Sequence, residues 1–410
     1  MAPHSGRLLL GGMLALAVAV GLGRFAFTPI LPVMQAEYGF DAQGSGWLAA
    51  SNNVGYLVGA LWAGTVRDDS TRHRLLFLGL ILLVTSLALM PATASPVVWN
   101  LLRLVAGVAS AWIFVLATAL VIPLLAAAGH ARWSGLHFGG VGAGIVLAGL
   151  VVGWTVDSFG ADVGWLVTAA LGLGAALAAW PILAAAHPHV PASATASTAR
   201  TSAFPMSLLA AAYFCEGLGY IVTGTFLVAV VRATPDIADT ANLAWTLVGL
   251  AALPSTVLWS FLAERHGHLR VLVAAHLIQA AGVALPALSN HPAAVLAGAA
   301  LYGGTFLGIV GMSLAFGRVL NPSGAARVMG FLTAAFGIGQ IIGPVLGARL
   351  AAEGGWSLAL LAAAGIVMLG APLLLAGHAW TRRRTVGYSS TTITLPNAPS
   401  VSISPIRAEE

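Results

Sequence analysis

Apolar residues in this chain come in long runs separated by short polar breaks. The runs are rich in Leu, Ala, Gly and Val and show no alternation of period two, so they predict helices rather than strands. Twelve of them, near 8–35, 44–66, 75–93, 97–127, 135–156, 161–184, 205–231, 241–263, 270–289, 292–317, 325–350 and 355–379, are long enough to cross the hydrocarbon of a bilayer. An even number of crossings places both termini on one side. The first run is long and has no small-residue cleavage site near its end, so it is expected to remain as a span.

Composition sharpens this picture. Of 410 residues, 59% are hydrophobic and only 8% charged, against about 25% charged in soluble domains; mean hydropathy is +0.91. The expected class is an all-α polytopic membrane protein. The single cysteine, Cys215, excludes an intrachain disulfide, and no Cys/His cluster suggests a metal, so no cofactor is expected. No basic stretch carries interleaved aromatics, so the pI near 10 does not imply nucleic acid. Its explanation is topological. All 18 basic residues are arginine, and fourteen lie in the tails or in the loops on the N-terminal side; only Arg232 and Arg349 fall on the other side, among Glu37, Asp41, Asp157, Asp162, Asp236, Asp239 and Glu353. The positive-inside rule then predicts a multi-pass protein with both termini cytoplasmic.

The segment 185–204, rich in Pro, Ser, Thr and Ala, reads as a cytoplasmic linker between six spans (1–184) and six more (205–380), and 381–410 as a disordered cytoplasmic tail. The halves are related by a repeat. An offset of 196 carries Gly21 onto Gly217, Asp68 onto Glu264 and Gly107 onto Gly303, while 195 carries Gly142 and Gly144 onto Gly337 and Gly339. Two six-helix bundles related in parallel enclose a cavity at their interface, and rocking exposes it alternately to each side.

The motifs resemble a known family. "GTVRDDSTRHR", from Gly64, is similar to the loop signature between the second and third spans of the major facilitator superfamily: Gly64, Asp68 and Arg72 match, while Asp69 and Thr71 depart from it. The second copy keeps Glu264, Arg265 and Gly267, and "RLVAG" from Arg103 resembles the superfamily's fourth-span motif. "GRFAFTPILP" with "YFCEGLGY" resembles the YbfB-like bacterial branch. The resemblance implies the major facilitator fold and secondary active transport of a small organic solute by a monomer in the lipid bilayer of the bacterial inner membrane; coupling to protons is expected from the two charges described below. It implies that Gly64, Asp68, Arg72, Glu264 and Arg265 belong to a conformational latch, and that Arg103 serves proton transfer or bonds neighbouring backbone. Efflux of drug-like compounds and import of organic anions remain alternatives. A non-transporting receptor would need a soluble module that the chain lacks, and an intramembrane enzyme would need a catalytic cluster that its spacing does not supply.

Two charges stand out because burying them in a bilayer is costly. Arg24 lies about sixteen residues into the first run, roughly 24 Å along a helix. Glu216 is the one acid inside a span, and the repeat sets Arg24 against Tyr220, one turn beyond Glu216. The expectation is that the two face each other across the cavity and pair when it is empty, so that a solute competing for Arg24 changes the proton affinity of Glu216. Asn52, Asn53 and Tyr56 on the second span, with Gln340, are expected to line the same path; His137, Trp112, Tyr213 and Tyr302 are further lining candidates. The glycine-rich "GGVGAGIVLAG" and "GIGQIIGP" lie inside spans and favour close helix approach rather than phosphate binding.

Overall fold

The computed structural model describes residues 2–186 and 204–389, and across them every regular element is helical. In order these are α1 (Ala2–Leu16), α2 (Phe27–Tyr38), α3 (Ala42–Thr65), α4 (Asp69–Ala88), α5 (Pro96–Ala127), α6 (Ser134–Leu147), α7 (Gly153–Phe159), α8 (Ala161–Ala184), α9 (Met206–Arg232), α10 (Ala241–His266), α11 (His268–Leu288), α12 (Pro292–Leu320) and α13 (Ala325–Ser389). Local chemistry sets the boundaries. Asp41 caps α3 by accepting from Gly44 N at 2.8 Å, and Asp68 caps α4 by accepting from Thr71 N at 2.7 Å. Pro96 and Pro292 open α5 and α12, where no backbone donor is needed. Gly267, at φ +85°, separates α10 from α11.

Ten helical stretches among the described residues are long and apolar enough to cross a membrane, and the chain is a multi-pass membrane protein. Twelve were expected. The expected spans at 325–350 and 355–379 run together in α13, where only Gly354 and Gly355 leave helical geometry. The span at 44–66 forms α3 but falls short in apolarity, because Ser51, Asn52 and Asn53 interrupt it. Most of the expected linker lies outside the described residues, as does 390–410; α13 extends through 381–389.

The first half of the chain packs α5 on α3 and α4 and α1 on α6 and α8; the second packs α9 and α11 on α13 and α12 on α10 and α11. The halves meet along α6 with α10, α3 with α13, and α2 with α9. Glycine makes the first seam close: a methyl on Gly142 would lie 2.7 Å from the Gly249 carbonyl oxygen. Large apolar residues such as Val97, Leu177 and Leu288 face outward, as a lipid solvent allows.

The two ends of the assembly differ. At the end reached by α2, α7 and α9, Arg232 of α9 pairs with Asp157 of α7 at 2.5 Å. Asn242 of α10 donates to the same carboxylate at 2.6 Å and accepts from Arg232 at 3.2 Å. This triad ties the halves together. Gly46 packs there on the Pro344 carbonyl and Ala348. At the opposite end, which holds the N-terminus, the bonds of Asp68 and Arg72 stay within their own loop and helix, and among the described residues no ion pair joins the halves.

Candidate functional site

The site begins at a defect in the first helix. Between α1 and α2, Ala17–Leu22 widens into a π turn, with Gly23 N bonding Val18 O at 2.9 Å and Phe25 N bonding Val20 O at 3.0 Å. Gly21 permits this because α6 passes so close that a Cβ would strike the backbone of Gly144. Neighbouring side chains serve the carbonyls of the bend: Arg103 Nη1 donates to Gly23 O at 3.1 Å and Ser110 donates to Ala19 O. The bend carries Arg24 into the interior, where it is 6% exposed.

From Arg24 a chain of bonds crosses four helical segments. Its Nη2 donates to Asn53 Oδ1 at 2.6 Å, and Asn53 Nδ2 donates to the main-chain carbonyl of Gln340 at 2.6 Å. The Gln340 side chain donates to the Tyr220 hydroxyl at 2.6 Å, and the Tyr302 hydroxyl donates to Tyr220 O at 3.1 Å. The Arg24 guanidinium also lies 5.4 Å from the Tyr56 ring centre and 5.6 Å from that of Phe25. Thr28 donates to Gly224 O at 2.5 Å, tying α2 to α9 beside the site. In the second half the rings of Tyr302, Phe306, Tyr220, Phe336 and Tyr213 lie near-parallel in succession, each stacked on the next at 4.5–5.9 Å.

Arg24, Asn53, Tyr56, Tyr220 and Gln340 are thus brought together. The expected Arg24–Glu216 pair is not formed. Glu216 is fully buried on α9, but its Oε1 accepts from Gln279 Nε2 at 2.7 Å and its Oε2 has no partner. Asn53 stands as the near partner of the arginine, and α11 supplies that of the acid. Sequence reasoning does not single out Gln279, although it is the only amide in the apolar run of α11.

Arg103 is buried and stacks on Phe27 at 4.7 Å, while Asn52 donates to its main-chain carbonyl at 3.0 Å. His137 lies elsewhere, facing Thr118 at 3.1 Å, and Trp112 meets Trp62 edge-on. In the loops, Asp68 accepts from the Thr71 backbone and hydroxyl, which holds its carboxyl below the ordinary value of 3.8. Arg72 bonds Asp69 at 3.1 Å and Val66 O at 2.9 Å rather than Asp68. Gly64 is exposed, and Arg265 lies over Phe261 at 4.2 Å. Among the described residues no three His, Cys, Asp or Glu side chains gather around a common metal position.

A family model described as "Uncharacterised MFS-type transporter YbfB" matches residues 16–375. A Bacillus subtilis (strain 168) protein described as "Uncharacterized MFS-type transporter YceJ" is 25% identical over 281 residues, covering 66% of this chain and 71% of its own. The crystal structure of a point mutant of the nucleoside transporter NupG superposes with a TM-score of 0.72 at 17% identity, covering 91% of this chain and 99% of that one. A further NupG crystal structure gives 0.66 at 16% identity, with 92% and 99% covered. At these identities the structural likeness establishes the fold. The family and these structural neighbours are transporters, not enzymes.

Proposed function

The chain belongs to this family of MFS-type transporters, and from that premise we propose that it moves a small organic solute across the bacterial inner membrane by alternating access, coupled to protons through Glu216. In this reading α3 and the two parts of α13 complete twelve crossings arranged as two six-helix bundles, residues 1–184 and 205–380, and one chain holds the whole path. The arginine distribution puts the N-terminal end in the cytoplasm. The Asp157–Arg232–Asn242 triad then closes the extracytoplasmic side.

The observation that carries the proposal is the buried relay from Arg24 through Asn53 and Gln340 to Tyr220. It spans the interface between the halves, and polar groups are expensive there unless they serve a path. Glu216 lies one turn from Tyr220 on the same helix. With one oxygen bonded only by an amide and the other unpartnered, its carboxylate is costly while charged and is relieved by taking a proton. Solute binding that rearranges Tyr220 and Gln340 reaches that acid through α9. Wild-type protein in proteoliposomes, given an inward proton gradient and a panel of metabolites, should accumulate at least one of them; loss of that accumulation on adding a protonophore is expected, and persistence would refute proton coupling.

A further inference from the structure

Arg24 and Arg103 line one small cavity with about 10 Å³ of water-accessible space, together with Thr28, Asn52, Asn53 and Thr225. Both arginines are almost fully buried, and among the described residues no Asp or Glu oxygen lies within ion-pair distance of either. Their bonds go to neutral oxygens: Asn53 Oδ1 for Arg24 and Gly23 O for Arg103. The Nε donor of each is unpartnered. Glu216, fully buried on α9, is turned to Gln279 instead.

Two guanidiniums facing one desolvated space without an anion is an unfavourable arrangement, since a buried cation is expensive unless paired. The protein holds it in place nonetheless. The bend positions Arg24, the Asn53–Gln340 bonds brace it, and the Phe27 ring and Gly23 carbonyl fix Arg103. A preorganised pair of forked donors fits the geometry of an oxyanion, whose two oxygens accept parallel N–H bonds. We propose that Arg24 and Arg103 form an oxyanion subsite and that the solute handled at this site is a small organic carboxylate. The unpartnered Asn52 Oδ1 offers the same solute one acceptor for a hydroxyl. Only the claim that the carboxylate is transported rests on the function proposed above; its binding does not.

The test uses the full-length protein purified in detergent. Thermal unfolding is followed against acetate, lactate, succinate and benzoate, each beside its uncharged amide, and against inorganic phosphate. At least one carboxylate should raise the melting temperature in a saturable way with an apparent Kd tenfold or more below that of its amide. Arg24→Lys, which keeps the charge but not the fork, should weaken that binding tenfold or more, as should Arg103→Gln. The acid–amide comparison on the unaltered protein needs no variant to fold. The subsite is overturned if no acid outbinds its amide, or if Arg24→Lys binds the acid as wild type does; phosphate binding as tightly as the best carboxylate overturns the organic assignment. Flux of the binding acid in proteoliposomes separates the two proposals. Binding without flux rejects transport and keeps the subsite, whereas flux of acid and amide alike rejects the subsite and keeps transport.

Discussion

The two halves of the chain divide their chemistry. In the first half the helix bearing Arg24 is broken by a π turn; its counterpart, α9, runs unbroken from Met206 to Arg232 with Tyr220 at the equivalent place. The first half holds both buried arginines, and the repeat sets Arg103 against Ala299. The second half holds the buried acid and the stacked rings. The position that the sequence repeat sets against each arginine is therefore helical without a charge. The buried cations and the buried acid thus lie in different halves with no direct bond between them.

Breaking this division should have graded effects. The largest is expected for Glu216→Gln, which preserves shape and the Gln279 bond site but removes titration: gradient-driven accumulation should fall to background while solute counterflow persists. Retained accumulation in that variant would show that another group carries the proton. Next, Asn53→Ala strips Arg24 of its bonded partner and leaves the Gln340 carbonyl without its donor. A loss of about 1–3 kcal/mol is expected from such orphaned buried groups, read as a lowered denaturation midpoint. In double-variant cycles Arg24 should couple to Asn53 more strongly than to Glu216; the reverse ranking would reinstate a direct charge pair.

Smaller effects belong to the ends. Asp157→Asn weakens the triad that joins the halves. Its pair is partly exposed, with side-chain accessibilities of 23% for Arg232 and 40% for Asp157, so about 1 kcal/mol or less is at stake. That suffices to shift an open–closed population several-fold, which spin-label distances between α7 and α9 would register; an unaltered distribution would deny the triad a latching role. Asp68→Asn should do least in this conformer, because its bonds are local. With its folded carboxyl held below the ordinary value by Thr71, the cap is present above about pH 3.8 and is lost as pH falls through the lower folded value. Protection of the first-turn amides of α4 against hydrogen exchange, compared above and below that pH, checks the sign.

Much of this is legible in one dimension. Runs of apolar residues locate the helices, the cost of charge in a bilayer singles out Arg24 and Glu216, and the fourth-span motif marks Arg103. Apolar texture does not encode azimuth, however: Leu, Ala and Gly surround these helices on every side, so depth is readable and facing is not. That is why the sequence pairs Arg24 with Glu216, why Gln279 and Thr28 do not stand out in it, and why it shows Asp157 and Arg232 on one side without joining them. The π turn is hidden for a different reason. It sits where Gly144 of another helix comes close to Gly21, a contact 123 positions apart that the pattern of a single run does not carry.

The Asp157–Arg232 pair sits where water and ions reach it. Mobile ions weaken attraction between charges over a screening length of about 8 Å at 0.15 M and about 3 Å at 1 M. At 2.5 Å the pair lies within both lengths, so salt trims its attraction without abolishing it, and, oriented as inferred here, the ionic strength on the extracytoplasmic side becomes one of the quantities that sets the energy of parting the halves there.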